Sequence, residues 1–262
     1  MPFTISHAAA VLPLRRITRL PMAALMIGSM SPDFSYFFAH DDMERLATHS
    51  IPGLFWFCLP VSLAVWFLYV RVLEAPTIAL LPESWAARIT PSRRELTIER
   101  LSWVSVAILL GAFTHLVWDA FTHINSPVVN SVSGLRVVVF EWHGRPIRVF
   151  RLLQHLSSIM GLLILAFWGW LRVRAPLTES DREAPRPHGA ITNNLRVAAL
   201  ALLVAATATL AVWGYRLHPA IPLERRLFHF AMGGMTGAVL AWCAIAAFVT
   251  WRKTVRNGRS AD

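Results

Sequence analysis

Residues 111–123 read GAFTHLVWDAFTH and close an apolar run that opens at Leu101. His115, Asp119 and His123 recur there every four residues. On an α-helix four residues turn ~400° and rise roughly 6 Å, so the three side chains form one gently spiralling stripe. A carboxylate inside a membrane span is costly and marks a functional site by default, which makes Asp119 with His115 the first candidate. His115 and His123 stand roughly 12 Å apart along the axis, too far to share one ion at bond lengths of ~2.0–2.1 Å. Asp119 lies between them with two oxygens. It is placed to bridge two ions, each also held by one flanking imidazole, since two-metal hydrolytic sites separate their ions by ~3.5–4 Å.

The rest of the chain supports a bilayer setting. It has 262 residues, 55% of them hydrophobic, a mean hydropathy of +0.50 and only 15 acidic residues. That is too apolar for an ordinary soluble domain of this length. The net charge of +10 invites a nucleic-acid partner, but the basic residues sit between apolar blocks, as they do in membrane proteins, and nucleic acid is set aside. All basic residues but Lys253 are Arg, a bias read as belonging to the source genome. Cys58 and Cys243 each lie within an apolar run, which leaves neither a disulfide framework nor a CxxC metal site. The opening MPFTISHAAAVLPLRR carries its charges after its apolar part, the wrong order for a secretory signal.

Five runs reach or approach spanning length: 51–70, 101–121, 156–171, 197–215 and 227–251. The last holds Gly233 and Gly237 in GxxxG spacing, which permits close helix contact and also arises by chance in so Ala- and Gly-rich a span. A sixth run, 20–38, is broken by SMSPDF and reads as a helix that is interfacial or half-buried, ended by Pro32 and Asp33. Residues 73–100 and 172–196 read as solvated loops, with 181–189 the most mobile. In the 124–151 connection, LRVVVFEWHGRPIRVF puts β-branched runs on either side of HGRP and predicts a short β-hairpin. The expected fold is an all-α integral membrane protein of about five transmembrane helices plus an N-terminal helical segment. It makes a single membrane domain, 1–262: an N-terminal segment 1–50, three spans in 51–173, a mobile loop 174–196, two spans in 197–251 and a basic tail 252–262.

Threading five spans sorts the ionisable residues by side. His7, Asp33 and His49 precede the first span. His115, Asp119 and His123 occupy the exit end of the second, His155 the entrance of the third and His229 the entrance of the fifth, all at one face. His40, His143 and His218 fall there too, and only His188 lies opposite. Histidine played no part in assigning the spans, so the convergence is independent support for one polar site at one end of the bundle. Taken singly, His40, His143, His218 and His229 are read as packing residues. The set His7, Asp33, His49, His115, Asp119, His123 and His155 is read as a metal-ligand set. Glutamates are scarce at this face, with only Glu44, Glu141 and Glu224.

Several motifs carry a resemblance. MPFTISHAAAVLPL, IGSMSPDF, HSIPGLFWFCLP, THLVWDAFTH and LLQHLSSIMGL resemble an uncharacterised bacterial family of multi-spanning membrane proteins, from Met1 through the third span. The order of ligands is also similar to membrane-bound metal-dependent hydrolases with a PD motif, and to the zinc-dependent phospholipase C and S1/P1 nuclease superfamily. Those resemblances imply that His7, Asp33 and His49 are early ligands, that His115 and Asp119 are an HxxxD pair with Asp119 bridging, and that His123 and His155 are later ligands. The superfamily's late HxxxE is absent, because Ile159 stands four residues after His155. One or two divalent ions, zinc first, are therefore implied rather than three.

The function expected is metal-dependent hydrolysis of a lipid-like phosphoester at one membrane face. Asp33 or Asp119 handles the attacking water, and Arg148 and Arg151, with Arg136 and Arg145 nearby in sequence, hold phosphate. Those arginines are equally consistent with ordinary surface charges. Two rivals are an ion or proton relay in a transporter or assembly protein, and haem held between His115 or His123 and His155. The expected location is a bacterial inner membrane, multi-pass, with membrane lipid as partner. Basic residues divide 11 to 14, and the slight excess assigns the His-rich face to the non-cytoplasmic side. Were 20–38 to span, the N-terminus would change sides and His7 would leave the cluster.

Overall fold

The computed structural model describes residues 4–17, 20–37, 47–89, 91–92, 96–124, 126–142, 144–177, 179, 191–217, 219 and 221–258. The principal helices are α1 (Met22–Met30), α2 (Ile51–Leu80), α3 (Ile98–Thr122), α4 (Val149–Arg174), α5 (Asn193–Leu217) and α6 (Leu223–Gly258). Strands β1 (Val138–Trp142) and β2 (Arg145–Arg148) pair antiparallel. Among the described residues five helical stretches are long and apolar enough to cross a membrane, one for each run expected from the sequence. The chain is an all-α membrane protein with one short hairpin. Gly144 in the hairpin turn has φ +72°, a left-handed backbone that glycine adopts without strain.

The outward faces of the spans carry the physical case. Helix α4 buries only Phe150, Gln154 and Gly161, while Leu156, Ile159, Met160, Leu163 and Phe167 stand exposed. In water such a face would aggregate. In hydrocarbon it is solvated, and the helix satisfies its own backbone bonds.

The chain divides into two compact units, Met1–Phe67 with Glu95–Arg174, and Leu68–Arg94 with Ala175–Asp262. In the first unit the 20–38 run does not span. Helix α1 has nine residues and gives way at Ser31 to a 3₁₀ turn, Ser31–Phe37. Pro32 explains the change, since it has no N–H with which to continue the α-helical hydrogen bonds. Helix α1 buries Ala24, Leu25, Ile27, Gly28 and Ser29, and its contact with α3 is backbone to backbone. A β-carbon at Gly28 would collide with the Ile108 carbonyl, and one at Gly111 with the Leu25 carbonyl. Helix α3 is capped by Thr97, whose side chain accepts from the Arg100 N–H. A second 3₁₀ turn, Thr4–Val11, lies against α4 so closely that a β-carbon on Gly161 would stand 2.7 Å from the Ser6 carbonyl oxygen. The N-terminal segment is thus wedged among the spans.

Helix α2 carries the chain from the first unit into the second, and π turns at Leu54–Cys58 and Tyr69–Leu73 precede Pro60 and Pro76. Such turns absorb the carbonyl that a proline ring would otherwise strike. The helix continues ten residues past the expected end at 70. Glu74, expected in a solvated loop, is 3% exposed and accepts from the Ser92 N–H at 3.0 Å and the Ser92 hydroxyl at 2.7 Å. A buried carboxylate needs such donors, and the 73–100 segment supplies them by folding back. Within the second unit α5 and α6 close on one another where Gly233 and Gly237 meet the Leu210 and Ala206 carbonyls, so the GxxxG spacing is used.

Candidate metal centre

Four elements of the first unit meet at one point. The Thr4–Val11 turn brings His7, and the Ser31–Phe37 turn brings Asp33. The residues just before α2 bring His49, and α3 brings His115, about 10 Å from its C-terminal end at a rise of ~1.5 Å per residue, and Asp119 in its last turn. His7, Asp33, His115 and Asp119 are buried, His115 completely. Two triads have ligand atoms within 4.8 Å of one another, His7 with Asp33 and His115, and His49 with His115 and Asp119.

The spacing of the donor atoms is informative. His49 Nε2 is 3.2 Å from Asp33 Oδ1 and 3.7 Å from Asp119 Oδ2. His115 Nε2 is 3.4 Å from Asp119 Oδ2 and 3.7 Å from Asp33 Oδ1, and His7 Nε2 is 3.7 Å from Asp119 Oδ1. Donors placed tetrahedrally at 2.0–2.1 Å from a zinc ion stand ~3.3–3.4 Å from each other. The observed separations bracket that edge length.

The hydrogen bonds behind the donors aim them. His115 Nδ1 donates to the Ser29 carbonyl at 2.8 Å. A carbonyl only accepts, so Nδ1 carries a proton there and Nε2 is aimed at the two carboxylates. Neither His7 Nε2 nor His115 Nε2 makes a hydrogen bond among the described residues. The His7 ring stacks on that of His115 at 3.7 Å between centroids. Thr4 donates to Asp33 Oδ2 at 2.8 Å, and the Thr48 hydroxyl pairs with His49 Nδ1 at 3.1 Å.

His49 Nε2 hydrogen-bonds to Asp33 Oδ1 at 3.2 Å, and two buried carboxylates in one centre call for positive charge. Protons on the imidazoles are one source, and a divalent cation neutralising Asp33 and Asp119 is the other. Burial, reinforced by His115, pushes the His7 pKa down to about 3, which keeps its ring neutral and its lone pair available. Burial alone would raise the Asp33 carboxyl, but His115, His49 and His7 hold it below the usual carboxylate range. Two buried carboxylates and three imidazoles form a donor set that fits a divalent metal, which would displace any imidazole proton on binding.

Of the seven ligands expected from the sequence, the structure brings five together. His7 stands with the other four, as it does when 20–38 does not span. His123 lies next to the group, its Nδ1 3.3 Å from Asp119 Oδ2, and enters neither triad. The one oxygen, Oδ2, faces both His115 and His123, where the bridging expectation gave each histidine its own. His155 is the departure. Its side chain is exposed on α4 and enters neither triad, while its neighbour Gln154 is buried. The haem reading loses its partner with it, and the His7 ring covers one face of His115. Arg148 ends β2, Arg151 lies in the first turn of α4, and both are half-buried. Glu141 is exposed on β1, and His229 belongs to the second unit. His40, His143, His188, His218 and Glu44 lie outside the described residues, as does the 181–189 stretch.

Sequence reading missed the residues that hold the donors: Thr4, Ser29 and Thr48. Thr4 was within reach, because a 3₁₀ turn eclipses positions three apart and so puts Thr4 on the side of His7.

The profile of a family described only as a domain of unknown function, DUF4184, matches residues 1–249, and the chain belongs to that family. No curated protein and no solved structure matches the chain.

Proposed function

With membership of DUF4184 as the premise, we propose that this membrane protein is a metal-dependent hydrolase that cleaves a lipid-like phosphoester. Its single divalent ion, zinc by donor type, is held from the set His7, Asp33, His49, His115 and Asp119. The observation that carries the reading is the convergence of ligand atoms at 3.2–3.7 Å with His115 Nε2 held inward by the Nδ1 bond to Ser29. His115 Nε2 has one lone pair and serves one ion, so the two triads that share it describe one centre. This favours one ion over the pair that the helix spacing allowed.

When bound, such an ion supplies Lewis acidity and lowers the pKa of water toward ~7. Catalytic zinc sites use three protein ligands, so five donors leave some for proton handling. Asp119, backed by His123 at 3.3 Å, is placed to accept the proton of an attacking water, and Asp33, steadied by Thr4, to orient it. Arg148 and Arg151 are assigned to the phosphate, which guanidinium pairs with bidentately. A bacterial inner membrane with this site on its non-cytoplasmic side completes the reading.

Metal analysis of purified protein tests it. One zinc or similar ion per chain is expected, lost in His115→Ala. A phosphoester lipid should be turned over by the wild type and ~10²–10⁴-fold more slowly by Asp119→Asn. Absence of bound metal in the wild type rejects the metal reading. Bound metal without turnover, together with metal-linked ion flux in vesicles, would favour the relay instead, which two buried carboxylates among imidazoles also support.

A further inference from the structure

A cavity of about 190 Å³ lies beside the cluster, lined among others by His7, Ala10, Trp118, Met160 and Ile164. Its walls are mostly apolar, with Ser6, His7 and Ser157 as the polar members, and they come from the Thr4–Val11 turn and the spans α3 and α4. Trp118, Met160 and Ile164 are exposed on the outward faces of those spans, whereas His7 is buried. The cavity therefore runs from a lipid-facing surface inward to a donor of the centre. The Trp118 indole N–H donates to the Ser157 hydroxyl at 3.1 Å and ties α3 to α4 at the wall.

We propose that this slot admits one hydrocarbon chain of a membrane lipid between α3 and α4 and brings the lipid's polar end to His7. The role of that end rests on the function proposed above, but the chain site stands on its own geometry. An apolar slot that opens on spanning helices borders hydrocarbon, and water has few polar partners there. An acyl chain is then the occupant whose chemistry matches both the walls and the surroundings. At its inner side the slot meets the His7 imidazole, which also belongs to the donor set, beside the buried Ser6. A soluble apolar metabolite would lack the route through the bilayer.

The test uses full-length protein in phosphatidylethanolamine and phosphatidylglycerol vesicles. They carry a trace of phosphatidylcholine with a diazirine at the end of one acyl chain. Light should label peptides containing Ala10, Met160 and Ile164 more strongly than those containing Leu202 and Leu240, which are exposed apolar residues of the second unit. Ala10→Phe from one wall and Met160→Trp from the other should each cut that labelling about ten-fold, as overfilling a packed site does. Bound metal should stay at the wild-type level in both. Uniform labelling of all exposed span faces, or labelling that neither variant alters, overturns the proposal as ordinary lipid contact. If neither variant folds, the wild-type labelling map decides alone. Selective labelling of a protein that binds no metal upholds the chain site and rejects the metal reading, so the two fail separately.

Discussion

His7 shows how much one side chain fixes. Its ring is kept neutral by burial and by His115, down to about 3 against an ordinary 6.5. Between those values the unfolded chain binds a proton that the folded chain does not. Stability is therefore fully present above pH 6.5 and declines as acid is added, by up to ~1.4 kcal/mol per pH unit. Thermal unfolding of metal-stripped protein in detergent from pH 7 to 4 should show this decline, and His7→Asn should flatten it. An equal slope in the variant would assign the acid sensitivity to other groups. At this scale the sequence was informative about height and uninformative about direction. Counting spans placed His7, Asp33, His49, His115 and Asp119 at one end, and they meet. The same argument admitted His155. Neighbours on a helix differ by ~100° in bearing, so Gln154 is buried where His155 is exposed, and a threading by sides carries no bearing.

Among elements, the contact of α1 with α3 holds Ser29 against His115 and so sets the tautomer. It depends on Gly28 and Gly111 having no side chains. Gly111→Leu should cost at least the ~1–3 kcal/mol of core overpacking, since backbone atoms cannot move aside easily. It should also release the metal, although no donor is altered. Gly169→Leu is the control, because nothing lies within 4 Å of a β-carbon there. Melting temperature and metal-to-protein ratio should both fall in the first variant and hold in the second. A Gly111→Leu protein with full metal would detach the helix contact from the centre. The spans were legible because apolar length alone defines them, and Pro32 explained the short α1. The continuation of α2 to Leu80 was not legible, since Glu74 looks like solvent until Ser92 is seen covering it.

At the scale of the molecule, all five donors come from the first unit. Gly233→Leu, which would drive α5 from α6, should therefore lower thermal stability while leaving the metal ratio of the folded fraction unchanged. Loss of metal in proportion to that destabilisation would show that the second unit supports the centre. The family match runs across both units, so the division by contacts is a feature of the fold rather than a join between separate families.

The wedged N-terminal segment has a consequence for biosynthesis. His7 and Asp33 leave the ribosome early, yet His7 stacks on His115 in the second span, and Ser6 lies against Gly161 in the third. At roughly 5–20 residues per second the first donors wait several seconds for their partners. The cluster can therefore assemble only after the second span is made, and Ser6 can dock on Gly161 only after the third.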